Sequence, residues 1–141
     1  MKVYDGKGQI AGRLASKIAK ELLGGEEIVV VNAADLVISG SYKSNIEKLA
    51  KRRRLTDKRN PEHNEKFPRV PYLLFKKMVR GMLPKKKTSS KLALKRLKVY
   101  DKIPNDIDSS NIINPKLAKP TMIKYITMGQ LCKAFGYDIN Q

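Results

Sequence analysis

The run Glu27-Ile-Val-Val-Val-Asn32 constrains the fold more than any other stretch of the chain. Ile28, Val29, Val30 and Val31 are all β-branched and show no polar alternation, the pattern of a strand covered on both faces. A strand of that kind needs a layer above it and a layer below. Upstream, residues 2–5 read as a short strand and Gly6-Lys7-Gly8 as a turn. From Ile10 the spacing becomes helical: Ile10, Leu14 and Ile18 recur every fourth residue, Ala11, Ala15, Ala19 and Leu22 lie beside them, and Gly24-Gly25 is a stop. Strand, helix, strand at these lengths predicts a βαβ unit. The expected class is α/β, a three-layer domain with a small, largely parallel sheet flanked by helices, extended by basic helices and loops.

Leu36-Val37-Ile38 is expected to form a shorter strand. After Gly40 a helix is expected with Ile46, Leu49 and Ala50 inward, and residues 56–68 read as a polar surface loop. Pro71 suits the first turn of a helix. Continuing at about 100° per residue gathers Tyr72, Leu74, Phe75, Met78, Val79 and Met82 on one sector and Lys76, Lys77 and Arg80 on the other. Only Leu73 breaks this division. The chain should turn through Gly81, Met82, Leu83 and Pro84 and then present Lys85, Lys86 and Lys87 in a row. Thr88, Ser89 and Ser90 offer caps for a helix over residues 91–98, with Ala93, Leu94 and Leu97 on one side and Lys91, Lys95 and Lys98 on the other. Residues 105–120 look irregular. A last strand is expected at 122–126, then a helix opened by Thr127 and Gln130 at capping-box spacing and stopped by Gly136.

At 141 residues the chain has a one-domain length, 1–141, able to bury roughly two thirds of its unfolded surface. Its net charge of +17 is unusual and unevenly spread. Residues 43–98 carry 20 Lys or Arg against four acids, Glu47, Asp57, Glu62 and Glu65, while the other 85 residues carry 10 against nine. A solvated helix face normally mixes signs so that neighbours pair. The runs 51–54, 76–80, 85–87 and 91–98 contain no acid, so they repel internally until a polyanion covers them. This points to nucleic acid. An anionic membrane surface is a weaker fit, since exposed apolar anchors are lacking.

Catalytic and cofactor readings find little support. Gly6, Gly8 and Gly12 invite a dinucleotide fingerprint, with Asp35 as the ribose acid, but the spacing is one residue too long. The runner-up function is therefore a nucleotide-binding enzyme on a Rossmann-like sheet. His63 is the only histidine and sits in the polar loop; Cys132 is the only cysteine and reads as a small core residue. Ser39, Ser41, Ser89 and Ser90 have no identifiable base. The lone cysteine suits a reducing compartment, and no apolar leader core follows Lys2, so a cytoplasmic location is expected.

Several segments in order and spacing carry a resemblance: GQIAGRLAS (8–16), VVVNA (29–33), ISG (38–40), RVP (69–71), VRGMLP (79–84), ALKRLKVY (93–100) and ITMGQLCK (126–133). Together they resemble the large-subunit ribosomal protein thirteen family, in its archaeal-type branch. The resemblance implies a non-enzymatic α/β constituent of the large ribosomal subunit, bound to its RNA from early assembly, beside neighbouring large-subunit ribosomal proteins, with no cofactor, no small-molecule substrate and no membrane. It implies that Arg80, Gly81, Met82, Leu83, Pro84 and Lys85, Lys86, Lys87 form an RNA-facing loop, that Arg96 and Lys98 lie in a second signature helix, and that Arg13 faces RNA from the first helix. Ser89-Ser90 stands where the family frequently has Arg-Gly. The basic block 43–98 adds Lys51, Arg52, Arg53, Arg54, Lys58, Arg59, Arg69, Lys76, Lys77, Lys91 and Lys95 to the expected RNA-binding set.

Overall fold

The computed structural model describes residues 1–64, 66–105, 107, 112–115 and 124–138. Strand β1 (Lys2–Asp5), helix α1 (Ala11–Leu23) and strand β2 (Ile28–Val31) form the expected βαβ unit, Val3 lying beside Val29 and Tyr4 beside Val30 in parallel register. β3 (Val37–Ser39), α2 (Tyr42–Arg54), α3 (Pro71–Met82) and α4 (Thr88–Lys95) follow. The chain then adds β4 (Leu97–Val99), β5 (Ile112–Ile113), β6 (Tyr125–Thr127) and α5 (Met128–Lys133). The main sheet has the order β4-β2-β1-β5 with every pair parallel, and β3 pairs antiparallel with β6.

The pleat divides the sheet into two faces. Tyr4, Ile28, Val30, Leu97 and Val99 point into the main core with Leu14, Ile18 and Leu22 of α1, Phe75 and Val79 of α3, Ala93 of α4, and Met128 and Leu131 of α5. Val3, Val29 and Val31 face the other way, against Ile107 and Ile112. Helices, sheet and the side covered by Ile107 make the three layers. All four β2 residues are buried, which is why that run carries no polar alternation. Gly6 has a structural reason to be glycine: a Cβ there would lie 2.9 Å from the Asn32 carbonyl oxygen and 3.0 Å from that of Val31. Its N–H donates to Val31 O at 2.9 Å. The glycine turn thus serves the close approach of two strand ends.

Four expectations need correction. The helix expected over 91–98 begins at Thr88 and ends at Lys95, and Leu97 to Val99 is a strand. The edge of β2 supplies the reason: Ile28 N donates to Arg96 O at 3.2 Å and Tyr100 N to Val30 O at 2.8 Å, and these ladder bonds outweigh the helical spacing of Ala93, Leu94 and Leu97. Lys87 is the cap residue of α4 and makes no side-chain cap bond; Thr88, Ser89 and Ser90 are its first turn. Ile112–Ile113, inside the stretch read as irregular, is a strand completing β1's second edge. The last strand is Tyr125–Thr127, and residues 122 and 123 lie outside the described residues. The capping box of α5 is formed as expected, Gln130 N donating to Thr127 Oγ1 and Thr127 N to Gln130 Oε1, both at 3.2 Å.

Candidate nucleic-acid interface

α3 organises the basic surface. Pro71 opens it, and Pro71, Leu74, Phe75 and Val79 are buried. The apolar sector is narrower than its sequence suggests, because Tyr72 is at the exposed limit and Met82 is 44% exposed. Arg80 is exposed and Lys76 and Lys77 are half-buried. The Lys77 ammonium donates to Lys66 O at 2.6 Å and sits 3.6 Å from the centre of the Phe67 ring. Arg52, near the end of α2, lies over the same ring at 5.9 Å. Phe67 therefore ties the basic end of α2 to α3, an arrangement that sequence reading missed because the phenylalanine is isolated in a polar loop. Arg53 is half-buried and stacks over Phe135 at 5.3 Å, whereas Lys51, Arg52 and Arg54 are exposed.

Beyond α3, a cavity of about 650 Å³ is bounded by Glu62, Asn64 and Lys66, the end of α3, Leu83-Pro84-Lys85 and the start of α4. Its lining brings together Lys77, Arg80, Gly81, Leu83, Pro84, Lys85 and Lys91 of the expected set and adds Lys66, Asn64, Ser90 and Leu94, which were not part of that set. Glu62 is the one acid among the described lining residues. Met82, Lys86, Lys87 and Lys95 are exposed outside this lining, as are Lys58, Arg59 and Arg69 in the connection between α2 and α3. Among the described residues the ion pairs all belong to Lys2, with Glu26 at 2.7 Å and Glu21 at 4.0 Å. Within the 43–98 block, Lys77 aside, the cations have no carboxylate within ion-pair distance among those residues.

Three members of the expected set stand apart. Arg13 is exposed in the first turn of α1. Lys98 lies on β4 opposite Val29, so it shares the sheet face of Val29 and not that of the helices; a lysine on a sheet-edge strand also discourages edge pairing. Neither Arg96 nor Lys98 is helical: Arg96 follows the last turn of α4. Half-buried, it donates from Nη2 to Leu22 O at 3.1 Å. That carbonyl belongs to the last turn of α1, where a cation is favoured by the helix dipole. Replacing Arg96 with Ala should lower stability by about 1–2 kcal/mol in urea denaturation. The exposed neighbour Lys95→Ala should change it by less than about 0.5 kcal/mol. Equal effects would remove the capping role.

Chemistry beyond binding is not assembled here. Burial pushes the Cys132 thiol up to about 12, so the group stays protonated at neutral pH. His63 is exposed in a 3-10 turn, Pro61–His63. Tyr137 donates to Asp101 Oδ2 at 2.9 Å, and burial followed by this bond pushes the phenol up to about 12, a contact that fastens the segment after α5 to the end of β4. Among the described residues no group of three His, Cys, Asp or Glu side chains could hold a metal ion, and no helix is long and apolar enough to cross a membrane.

Parallel α/β scaffold, helices divided into core and cationic faces, and exposed cations that, Lys77 aside, have no carboxylate partner among the described residues together define a basic α/β domain of the kind that meets a polyanion. The family model of Ribosomal protein L13 matches residues 1–106. Large ribosomal subunit protein uL13 of Methanococcoides burtonii is 40% identical over 139 residues, covering 96% of this chain and 98% of that protein. Its counterpart in Methanocaldococcus jannaschii is 41% identical over 137 residues, covering 96% and 98%. That of Archaeoglobus fulgidus is 37% identical over 141 residues, covering 96% and 87%. The chain belongs to the ribosomal protein L13 family.

Proposed function

We propose that this chain is a structural constituent of the large ribosomal subunit that binds and helps organise ribosomal RNA during assembly, with no enzymatic step of its own. The observation that carries this reading is the 43–98 block: 20 cations against four acids, mounted on helices whose opposite faces are core. A rigid, near-neutral scaffold holds those charges in fixed positions, so RNA segments can converge without the full cost of phosphate repulsion. Recognition rests on backbone and shape more than on base edges. The whole chain, 1–141, works as one domain with 43–98 as its RNA-facing segment, in the cytoplasm, beside other large-subunit proteins. Arg80, Lys85, Lys86, Lys87 and Lys91 are its principal phosphate contacts, with the exposed cations of α2 beside them.

The test is crosslinking in cells followed by sequencing of the attached RNA, for the native chain and for a variant with Lys85, Lys86 and Lys87 all changed to Glu. The native chain should recover large-subunit ribosomal RNA. The variant should recover at least about tenfold less, since three exposed contacts become repulsive. Its thermal melting should stay close to that of the native chain, because all three positions are exposed. Undiminished recovery would exclude residues 85–87 from the interface, and recovery of other RNA classes instead would overturn the ribosomal reading.

A further inference from the structure

We propose that the cavity between Glu62, Asn64 and Lys66, the end of α3 and the start of α4 seats one everted nucleotide of the bound RNA, its sugar and phosphate against the cationic wall and its base on the apolar floor. The proposal rests on the RNA reading above and adds to it a seat of defined shape. Phosphate neutralisation alone needs only an outward surface. Here the surface is concave, and its volume of about 650 Å³ falls within the range of sites that enclose small ligands. Lys66, Arg80, Lys85 and Lys91 outnumber Glu62 on the wall, while Leu83, Pro84 and Leu94 supply apolar area that phosphate does not use. Unstacked bases of single-stranded RNA are the groups that seek such area.

Ser90 is the second, independent observation. It is 7% exposed, it lines the cavity, and its hydroxyl has no hydrogen-bond partner. A buried hydroxyl left unpaired is unfavourable unless a ligand completes it. A ribose 2′-OH, both donor and acceptor, can do so after a single χ1 rotation of Ser90 toward the cavity. The α4 first turn beside it has no side-chain cap and no acid of its own, so a phosphate there also meets the positive end of the helix.

Gly81 provides a test that leaves the charge untouched. It lines the cavity, lies inside α3, and a Cβ added there would meet no atom within 4 Å. Gly81→Leu therefore adds side-chain volume at the cavity lining with all cations in place and improves the helix propensity of the site. In filter binding to transcribed large-subunit ribosomal RNA of Methanocaldococcus jannaschii, Gly81→Leu should bind about tenfold more weakly than the native chain, with a melting temperature no lower. Ser90→Ala should move two readouts in opposite directions, raising the melting temperature and weakening binding about threefold. Titrating the native chain with millimolar adenosine monophosphate should shift the backbone NMR signals of Gly81, Ser90 and Leu94, whereas inorganic phosphate should leave Leu94 unmoved. Full affinity in a folded Gly81→Leu chain overturns the seat and leaves the RNA reading standing. If that variant does not fold, absence of the nucleotide-induced shifts in the native chain overturns it. A native chain that does not bind the RNA at all removes both.

Discussion

Between 50 and 200 mM monovalent salt, the affinity of this chain for large-subunit ribosomal RNA should fall roughly a thousandfold or more, if about six phosphates are neutralised. Each neutralised phosphate releases condensed counterions, and adding salt makes that release less favourable. The structure supplies enough cations: Lys51, Arg52, Arg54, Arg80, Lys85, Lys86, Lys87, Lys91 and Lys95 are all exposed. None of them is paired to a carboxylate among the described residues. Cations already matched within the chain would have exchanged one partner for another and left a shallow dependence. Filter binding across a salt series gives the slope of log affinity against log salt directly, with roughly −5 expected for six phosphates. A slope shallower than about −2 would mean that most of these side chains do not face the RNA backbone.

Phe75→Ala should destabilise the fold by about 3–5 kcal/mol, the largest effect expected of any single side chain on α3. Phe75 is 0% exposed and among the largest fully buried side chains of the chain. It belongs to the same core as Leu14, Ile18, Val30 and Leu97, and α3 packs on α1, β4 and α5. Its loss opens a void that rigid neighbours on several sides cannot fill. A domain of ordinary stability, about 5–15 kcal/mol, would keep only part of its margin. Leu73→Ala, on the same helix but 39% exposed, should cost no more than about 0.5–1 kcal/mol. Urea denaturation of both variants decides the matter, and similar midpoints would mean that Phe75 does not anchor the helix.

Much of this was legible in the residues, for reasons that differ from element to element. α1 announces itself because it is long enough to show its period and is ended by Gly24-Gly25, and β2 because it is an unbroken β-branched run. α3 was legible as a division between apolar and cationic residues, with its edge misplaced: Met82, in the last turn, is 44% exposed, and it is Leu83 just after it that is buried in the core. β4 and β5 are three and two residues long. No periodicity can be read in so few positions, and what makes them strands is a vacant edge on β2 and on β1, supplied by residues far away in sequence. The interface divides in the same way. A run such as Lys85-Lys86-Lys87 is visible as charge. The inward turn of Arg96, the bridging place of Phe67 and the enclosure of Ser90 depend on what stands opposite each of them, and a one-dimensional pattern does not hold that.

The sheet order carries a consequence for the history of each molecule. β1, made first, gains β2 after some twenty residues but receives its other neighbour only from residues 112 and 113. The basic segment between them is synthesised before the sheet is closed on that side. One flank of the first strand therefore keeps unpaired N–H and C=O groups until residues 112 and 113 are made, well after the cations of the basic segment.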